Sequence, residues 1–168
     1  MIKIETYAQA LYEVVSNPLE VYEEIKSFNT LLEDEEVRNV FQRNYGQAEV
    51  LDPLWDLLNM SAELKRLLKI LQKDQRIIDF DRFIESYQEQ LTAHKLISKA
   101  DVRTAHQLDD QAKESLKTML AQRYPGVIEI SVTEEPELIK GMVVKINNDV
   151  IDTSIKNKLQ QIRNQGGK

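Results

Sequence analysis

Residues 137–159, ELIKGMVVKINNDVIDTSIKNKL, constrain this chain more than any other stretch. Met142-Val143-Val144-Lys145-Ile146 has the β-branched content of a strand, and Asn147-Asn148-Asp149 has the composition of a tight turn. Val150-Ile151 then begins a return strand. Asp152-Thr153-Ser154 follows with side-chain oxygens able to cap a helix whose apolar face is Ile155, Leu159 and Ile162. A β-hairpin thus feeds directly into a short amphipathic helix, with Lys156, Lys158 and Arg163 beside its apolar face.

The first half of the chain has a different period. Ile4, Tyr7, Ala8, Leu11, Val14 and Val15 recur at helical spacing, which predicts a first helix to about residue 16. Asn17-Pro18 closes it and caps a second helix lined by Leu19, Tyr22, Ile25, Phe28, Leu31 and Leu32. Asp34 caps a third, carried by Val37, Val40 and Phe41 and ended by Gly46. Asp52-Pro53 opens a short fourth around Trp55, and Ser61 opens a fifth over 62–73. In that fifth helix Leu64, Leu67, Leu68, Ile70 and Leu71 cover an arc wide enough for two neighbours. Lys73-Asp74-Gln75-Arg76 separates it from a sixth over 77–96. From 97 the spacing shortens to that of a strand over 97–105. A helix capped by Asp109 follows, then an alternating strand in 127–132, then the hairpin and last helix. The expected architecture is mostly α: six helices, then a small mixed α/β module in the order β-α-β-β-β-α, with the division at 1–97 and 98–168.

Composition narrows the function. With 168 residues, 42% hydrophobic and 30% charged, the chain can bury a core. A net charge of −6 argues against nucleic acid, whose binding depends on neutralising phosphates. Without cysteine there is no thiolate metal site and no thiol nucleophile. No apolar run approaches the roughly 20 residues of a spanning helix, and the start is too acidic for a signal or Arg-rich transit peptide. Any membrane association is therefore expected to come through a partner.

No catalytic constellation can be assembled. His94 and His106 are too far apart for the i, i+4 metal spacing of a helix. Five glycines form no phosphate loop. Asp34-Glu35-Glu36 and Asp109-Asp110 stand where helices begin, which capping and the helix dipole explain, and Glu134-Glu135 suits a solvated surface. Ser154 has no base assigned to it and suffices as a cap. The expectation is no catalytic residue, no cofactor and no metal.

Several stretches carry a resemblance. Glu137, Leu138-Ile139, Gly141, Val143-Val144-Lys145, Val150-Ile151-Asp152 and Ser154 resemble the carboxy-terminal signature of the delta subunit of the rotary ATP synthase, the oligomycin-sensitivity-conferring protein family. Lys140 and Thr153 depart from it, standing where glycines are usual. Tyr7-Ala8-x-Ala10-Leu11 resembles the family's opening, Leu67 to Leu71 with Arg76 its fifth helix, and Ala100 to Leu108 its step into the second module. The likeness spans nearly the whole chain.

The resemblance implies an amino-terminal bundle of six helices and a non-catalytic role. Such a subunit links the catalytic alpha/beta head of the proton-translocating ATP synthase to the b-subunit stator stalk, so that the head does not rotate with the shaft. It also implies a groove between the first and fifth helices that receives the alpha subunit's amino-terminal helix. Its positions here are Tyr7, Ala10, Leu11 and Val14 on one side and Leu67, Ile70 and Leu71 on the other. The plainer alternative for each is a core residue. Small Ala8 and Ala10 leave room for a visiting helix. The second module would meet the b-subunit carboxy-terminal helices through Ile155, Lys156, Leu159, Ile162 and Arg163, whose alternative is a solvated basic face over a packed apolar one. One copy per complex, at the cytoplasmic face of a bacterial membrane, completes the expectation. Its rivals are a helical adaptor of another complex and a small ligand-binding α/β module with an appended helical domain.

Overall fold

The computed structural model describes residues 3–43, 51–155, 157 and 159. The chain divides into two compact units, the first ending at Ala93 and the second starting at His94. The periodicity had placed this division after 97.

Among the described residues, the first unit carries six α-helices: α1 (Ile4–Val14), α2 (Pro18–Glu33), α3 (Glu35–Arg43), α4 (Asp52–Leu57), α5 (Ala62–Lys73) and α6 (Phe80–Ala93). Local chemistry explains most boundaries. Val15 turns extended after α1, and the Asn17 side chain accepts from the Glu20 amide to start α2, with Pro18 at the first helical position. Asp34 Oδ1 accepts from the amides of Glu36 and Val37 at the head of α3. The end of α3 predicted at Gly46 lies outside the described residues.

Three expectations are corrected. The sixth helix begins at Phe80, not Ile77, because Ile77–Asp79 forms a 3-10 turn, and it ends at Ala93 rather than 96. Asp52 lies within the first turn of α4, whose cap is Leu51. Ser61 heads α5 without capping it through its own side chain. Its amide and hydroxyl both donate to Glu24 Oε2 of α2, at 2.9 and 2.7 Å.

The core of this unit is aromatic. Phe28 meets Phe41 and Phe80 edge-on at 5.4 and 5.1 Å between ring centroids and tilts against Trp55 at 5.9 Å. Phe83 stacks between Phe80 and Tyr87, and Tyr87 also stacks on Tyr22. Offset and edge-on packing suits the ring quadrupoles. Ile25, Leu64, Leu68, Leu71 and Leu91 fill the remaining space, each with no exposed surface.

The second unit holds a four-stranded mixed sheet in the order β2-β1-β3-β4. β1 (Ile97–Thr104) runs parallel to β2 (Val127–Glu134), in register from Ile97↔Val127 to Thr104↔Glu134. A parallel pair needs a crossover, which α7 (Asp110–Ala121) supplies; Asp109 Oδ1 caps it by accepting from the Ala112 amide. β3 (Met142–Ile146) pairs antiparallel with β1 and β4 (Asp149–Asp152). Strand alternation puts Ala100, Val102, Ile128, Val144 and Ile146 on one face with Leu116 and Leu120 of α7. Val143 points to the opposite face, against Ala105 and Leu138. Backbone at Ile155, Asn157 and Leu159 is helical, and Ser154 Oγ accepts from the Asn157 amide at 3.2 Å.

Candidate functional site

The arrangement of α1 decides where a partner could dock. Its inward line is Ile4, Ala8 and Leu11, all buried. At 100° per residue the helix has two flanks beside that line. One faces α6: Glu5 pairs with Arg82 at 3.4 Å, and the Tyr12 ring meets Tyr87 edge-on at 6.3 Å. The other flank carries Tyr7, Ala10 and Val14 and faces α5. Tyr7 Oη donates to Asp74 Oδ2 at 2.6 Å, which sets the start of α1 beside the end of α5. At the other end, Val15 and Ser16 share a cleft of about 450 Å³ with Ser61 and Glu63, so the two helices run antiparallel.

The same wheel sorts α5. Leu64, Leu68 and Leu71 point inward, and Leu67, Ile70 and Asp74 form the flank toward α1. Along this seam the apolar residues are unevenly covered. Val14 is 66% exposed and Ile70 47%, and Ala10 is exposed as well. Tyr7 and Leu67 lie at the surface edge, 9% and 8% exposed. The two flanks therefore carry exposed apolar surface, with Ala10 presenting only a methyl group between its longer neighbours.

Of the positions anticipated from sequence, Tyr7, Ala10 and Val14 share one flank of α1, and Leu67 and Ile70 share one flank of α5. Leu11 and Leu71 are closed inside the unit at 2% and 0% exposure and serve as core. Ala8 is also fully buried, so it makes no room for a visitor. Sequence reasoning missed Asp74. An acidic residue at the carbonyl end of a helix opposes the helix dipole, and that was the available signal. The Tyr7–Asp74 hydrogen bond raises the Tyr7 phenol above its ordinary value near 10, and burial and the Asp74 charge push the same way.

On the second unit, Ile155 is half-buried and its amide donates to the Lys140 carbonyl at 3.0 Å. Leu159 is 54% exposed. Lys156, Ile162 and Arg163 lie outside the described residues. Ser154 is buried at 1% and acts as the helix cap already described. In the signature loop the left-handed positions are Ile139 (φ 66) and Gly141 (φ 91). Lys140 and Thr153, the departures from glycine, therefore carry no backbone penalty for a Cβ.

The carboxylate clusters are structural: Asp34 and Asp109 cap α3 and α7, and Glu135 pairs with Arg103 at 3.2 Å. Both histidines are exposed. Among the described residues no acidic or histidine cluster has metal-site geometry, and no helix is long and apolar enough to cross a membrane. A second cleft, of about 470 Å³, lies between α2, α3 and the 3-10 turn, lined by Asn29, Glu33, Arg38, Gln42, Ile78 and Asp81. Arg38 Nε there donates to the Leu32 carbonyl, which fastens α3 to α2.

Known proteins with the same pattern point one way. The ATP synthase subunit delta of Limosilactobacillus reuteri is 30% identical over 95% of this chain and 92% of its own length. That of Paracoccus denitrificans is 27% identical over 94% and 88%. A chain in the cryo-EM structure of the Toxoplasma gondii mitochondrial ATP synthase hexamer shares the fold, with a TM-score of 0.66, 17% identity and coverage of 98% and 97%. The family model for the ATP synthase delta (OSCP) subunit matches residues 4–165, end to end across both units. The chain belongs to the ATP synthase delta (OSCP) subunit family.

Proposed function

We propose that this chain is a non-catalytic peripheral-stalk subunit. It links the alpha/beta head of the ATP synthase to the b-subunit stator so that the head resists rotation. The trough between α1 and α5 takes the amino-terminal helix of one alpha subunit. The second unit takes the carboxy-terminal helices of the b subunits through Ile155 and Leu159, together with Lys156, Ile162 and Arg163, which the family resemblance implies. One copy serves each complex, held at the cytoplasmic face of a bacterial membrane by its partners. Bacterial relatives support that placement.

The observation that supports the proposal is the exposed apolar surface of Ala10 and Val14 on α1 and of Ile70 on α5. An amphipathic helix laid in such a groove is an established recognition mode. Covering the exposed parts of Val14 and Ile70 contributes roughly 1–2 kcal/mol each. That exceeds the rim charge pairs, which are typically below about 1 kcal/mol and weaken in salt.

The test is titration calorimetry with a peptide of the alpha subunit's amino-terminal helix, at low and high salt. Binding is expected to survive salt and to be lost in Val14→Asp and Ile70→Asp. Both positions are exposed, so both variants should fold. No binding by the folded wild-type chain would overturn the proposal.

A further inference from the structure

The trough has a feature that its apolar lining does not explain: α5 is tied to its neighbours by a carboxylate at each end. At the start, Glu24 Oε2 of α2 accepts from both the amide and the hydroxyl of Ser61. At the finish, Asp74 Oδ2 accepts from Tyr7 Oη of α1. Charge-assisted hydrogen bonds of this kind are shorter and stronger than neutral ones. Between these two ties lies Ile70 on the wall of α5, 47% exposed.

The ties are not symmetric in local cost. A carboxylate at the amide end of a helix is favoured by the dipole, so Glu24 suits the start of α5. Asp74 does not suit its own helix. It occupies the C-cap of α5, and its amide donates back to the Ile70 and Gln72 carbonyls, so its negative side chain sits at the negative end of the dipole. A residue that breaks a local rule calls for a compensating contact elsewhere. The Tyr7 hydroxyl is that contact, reaching across 67 residues of sequence.

Packing alone does not fix the spacing that these ties span. α1 packs far more extensively on α6 than on α5. Its inward line of Ile4, Ala8 and Leu11 is committed to the core. The α1–α5 distance is thus left to the Tyr7–Asp74 tie and to Leu67 beside it. A visiting helix gains affinity when its groove does not have to be ordered on binding.

We infer that Asp74 and Glu24 are positioning residues: Asp74 holds the end of α5 against α1 and Glu24 holds its start against α2, which together fix the wall of α5 that an incoming amphipathic helix meets. The inference rests on the docking role proposed above and adds to it how the groove is kept open and in register. Neither carboxylate touches the visitor. Each acts through the residue it holds, Asp74 through Tyr7 and Glu24 through Ser61.

The test uses the full chain and the same alpha-subunit peptide, titrated well below the unfolding temperature with circular dichroism confirming the fold of each variant. Asp74→Ala and Tyr7→Phe should each weaken binding about tenfold, the loss of one hydrogen bond to a charged group. The double variant should bind no worse than either single one, because both remove the same contact. Asp74→Asn keeps an acceptor for the hydroxyl but loses the charge, and should fall between wild type and Asp74→Ala, about threefold weaker than wild type. Glu24→Ala should weaken binding, and Glu24→Gln should weaken it less, by the same logic. Asp34→Ala, which uncaps α3 and lowers stability without touching α5, should bind as wild type. Should Asp74→Ala fail to fold, Tyr7→Phe carries the same comparison.

Wild-type binding with unchanged affinity in Asp74→Ala, Tyr7→Phe and Glu24→Ala overturns this inference and leaves the docking role standing. An equal loss in Asp34→Ala overturns it too, because the effect would then be general destabilisation. No binding by the wild-type chain removes the docking role and the inference together.

Discussion

Ile139 and Gly141 bracket a tight turn of backbone in the second unit. Both sit in the left-handed region, at φ 66 and φ 91. For glycine this is ordinary; for a β-branched residue it is an outlier that costs roughly 1–3 kcal/mol. The surroundings impose it. The Ile139 amide donates to Pro136 O at 3.0 Å, and the Gly141 carbonyl accepts from Ala105, so the loop is stitched on both sides. At Gly141 a Cβ would also come within 2.5 Å of the Thr153 carbonyl, where the return strand passes close by. Gly141→Ala is therefore expected to destabilise the second unit by more than about 2 kcal/mol. Ile139→Gly is expected to stabilise it by about 1 kcal/mol or less, since relief of strain is partly offset by added freedom in the unfolded chain. Urea denaturation followed by far-UV circular dichroism measures both. A neutral Gly141→Ala would mean that the loop can shift to admit the methyl group.

Elements were legible in this sequence where their cause is local. Asn17, Asp34, Asp109 and Ser154 cap helices in the structure because a short oxygen-bearing side chain acts within three residues of itself. The strands and the hairpin follow from alternation and the Asn147-Asn148 turn. Boundaries set by distant groups were not legible. Ser61 looks like a cap and is instead a donor to Glu24, 37 residues away. Ile77 continues the apolar period of α6, yet the backbone there is a 3-10 turn after a left-handed Gln75. For the groove, the wide apolar arc of α5 was visible, but which flank stays uncovered depends on the Tyr7–Asp74 contact. A family resemblance carried over position by position cannot see such a contact, and so it puts Leu11 and Leu71 beside Val14 and Ile70. Tyr87 shows what a tie between elements does under titration. It is fully buried in α6, and its hydroxyl donates to the Pro18 carbonyl at the head of α2. Burial first, then the neighbouring Tyr12 and Glu24, push its phenol well above the ordinary value near 10. The folded state thus holds this proton more tightly than the unfolded chain, so the stability it confers is complete below about pH 10 and falls as pH rises above it. Tyr87→Phe should cost about 1 kcal/mol at pH 7 through the lost hydrogen bond and flatten the alkaline decline. Urea midpoints at pH 7 and pH 11, read from Trp55 fluorescence, decide this. An equally steep decline in Tyr87→Phe would assign it to another group.

At the scale of the molecule, the two units are built from different materials. The only tryptophan, Trp55, and all four phenylalanines lie in the helical unit, in one aromatic core. The second unit packs Ala100, Val102, Leu116, Leu120, Ile128, Val144 and Ile146, with Tyr124 at the margin. Small domains bury a smaller fraction of their surface and are correspondingly marginal, and an aliphatic core in one short unit has less apolar area to bury than the aromatic core in the other. The units are therefore expected to unfold in separate steps, the second one first. Trp55 fluorescence reports only the helical unit, whereas circular dichroism reports both, so the two urea curves should not coincide. Gly141→Ala should widen the gap by moving the first step alone. The functional consequence follows from the same separation. In the urea window where the sheet is lost and Trp55 remains in its native environment, the alpha-subunit peptide should still bind, because every residue assigned to the trough and to its end ties belongs to the helical unit. Binding lost together with the sheet would show that the groove depends on the second unit, and coincident curves would show that the two fold as one.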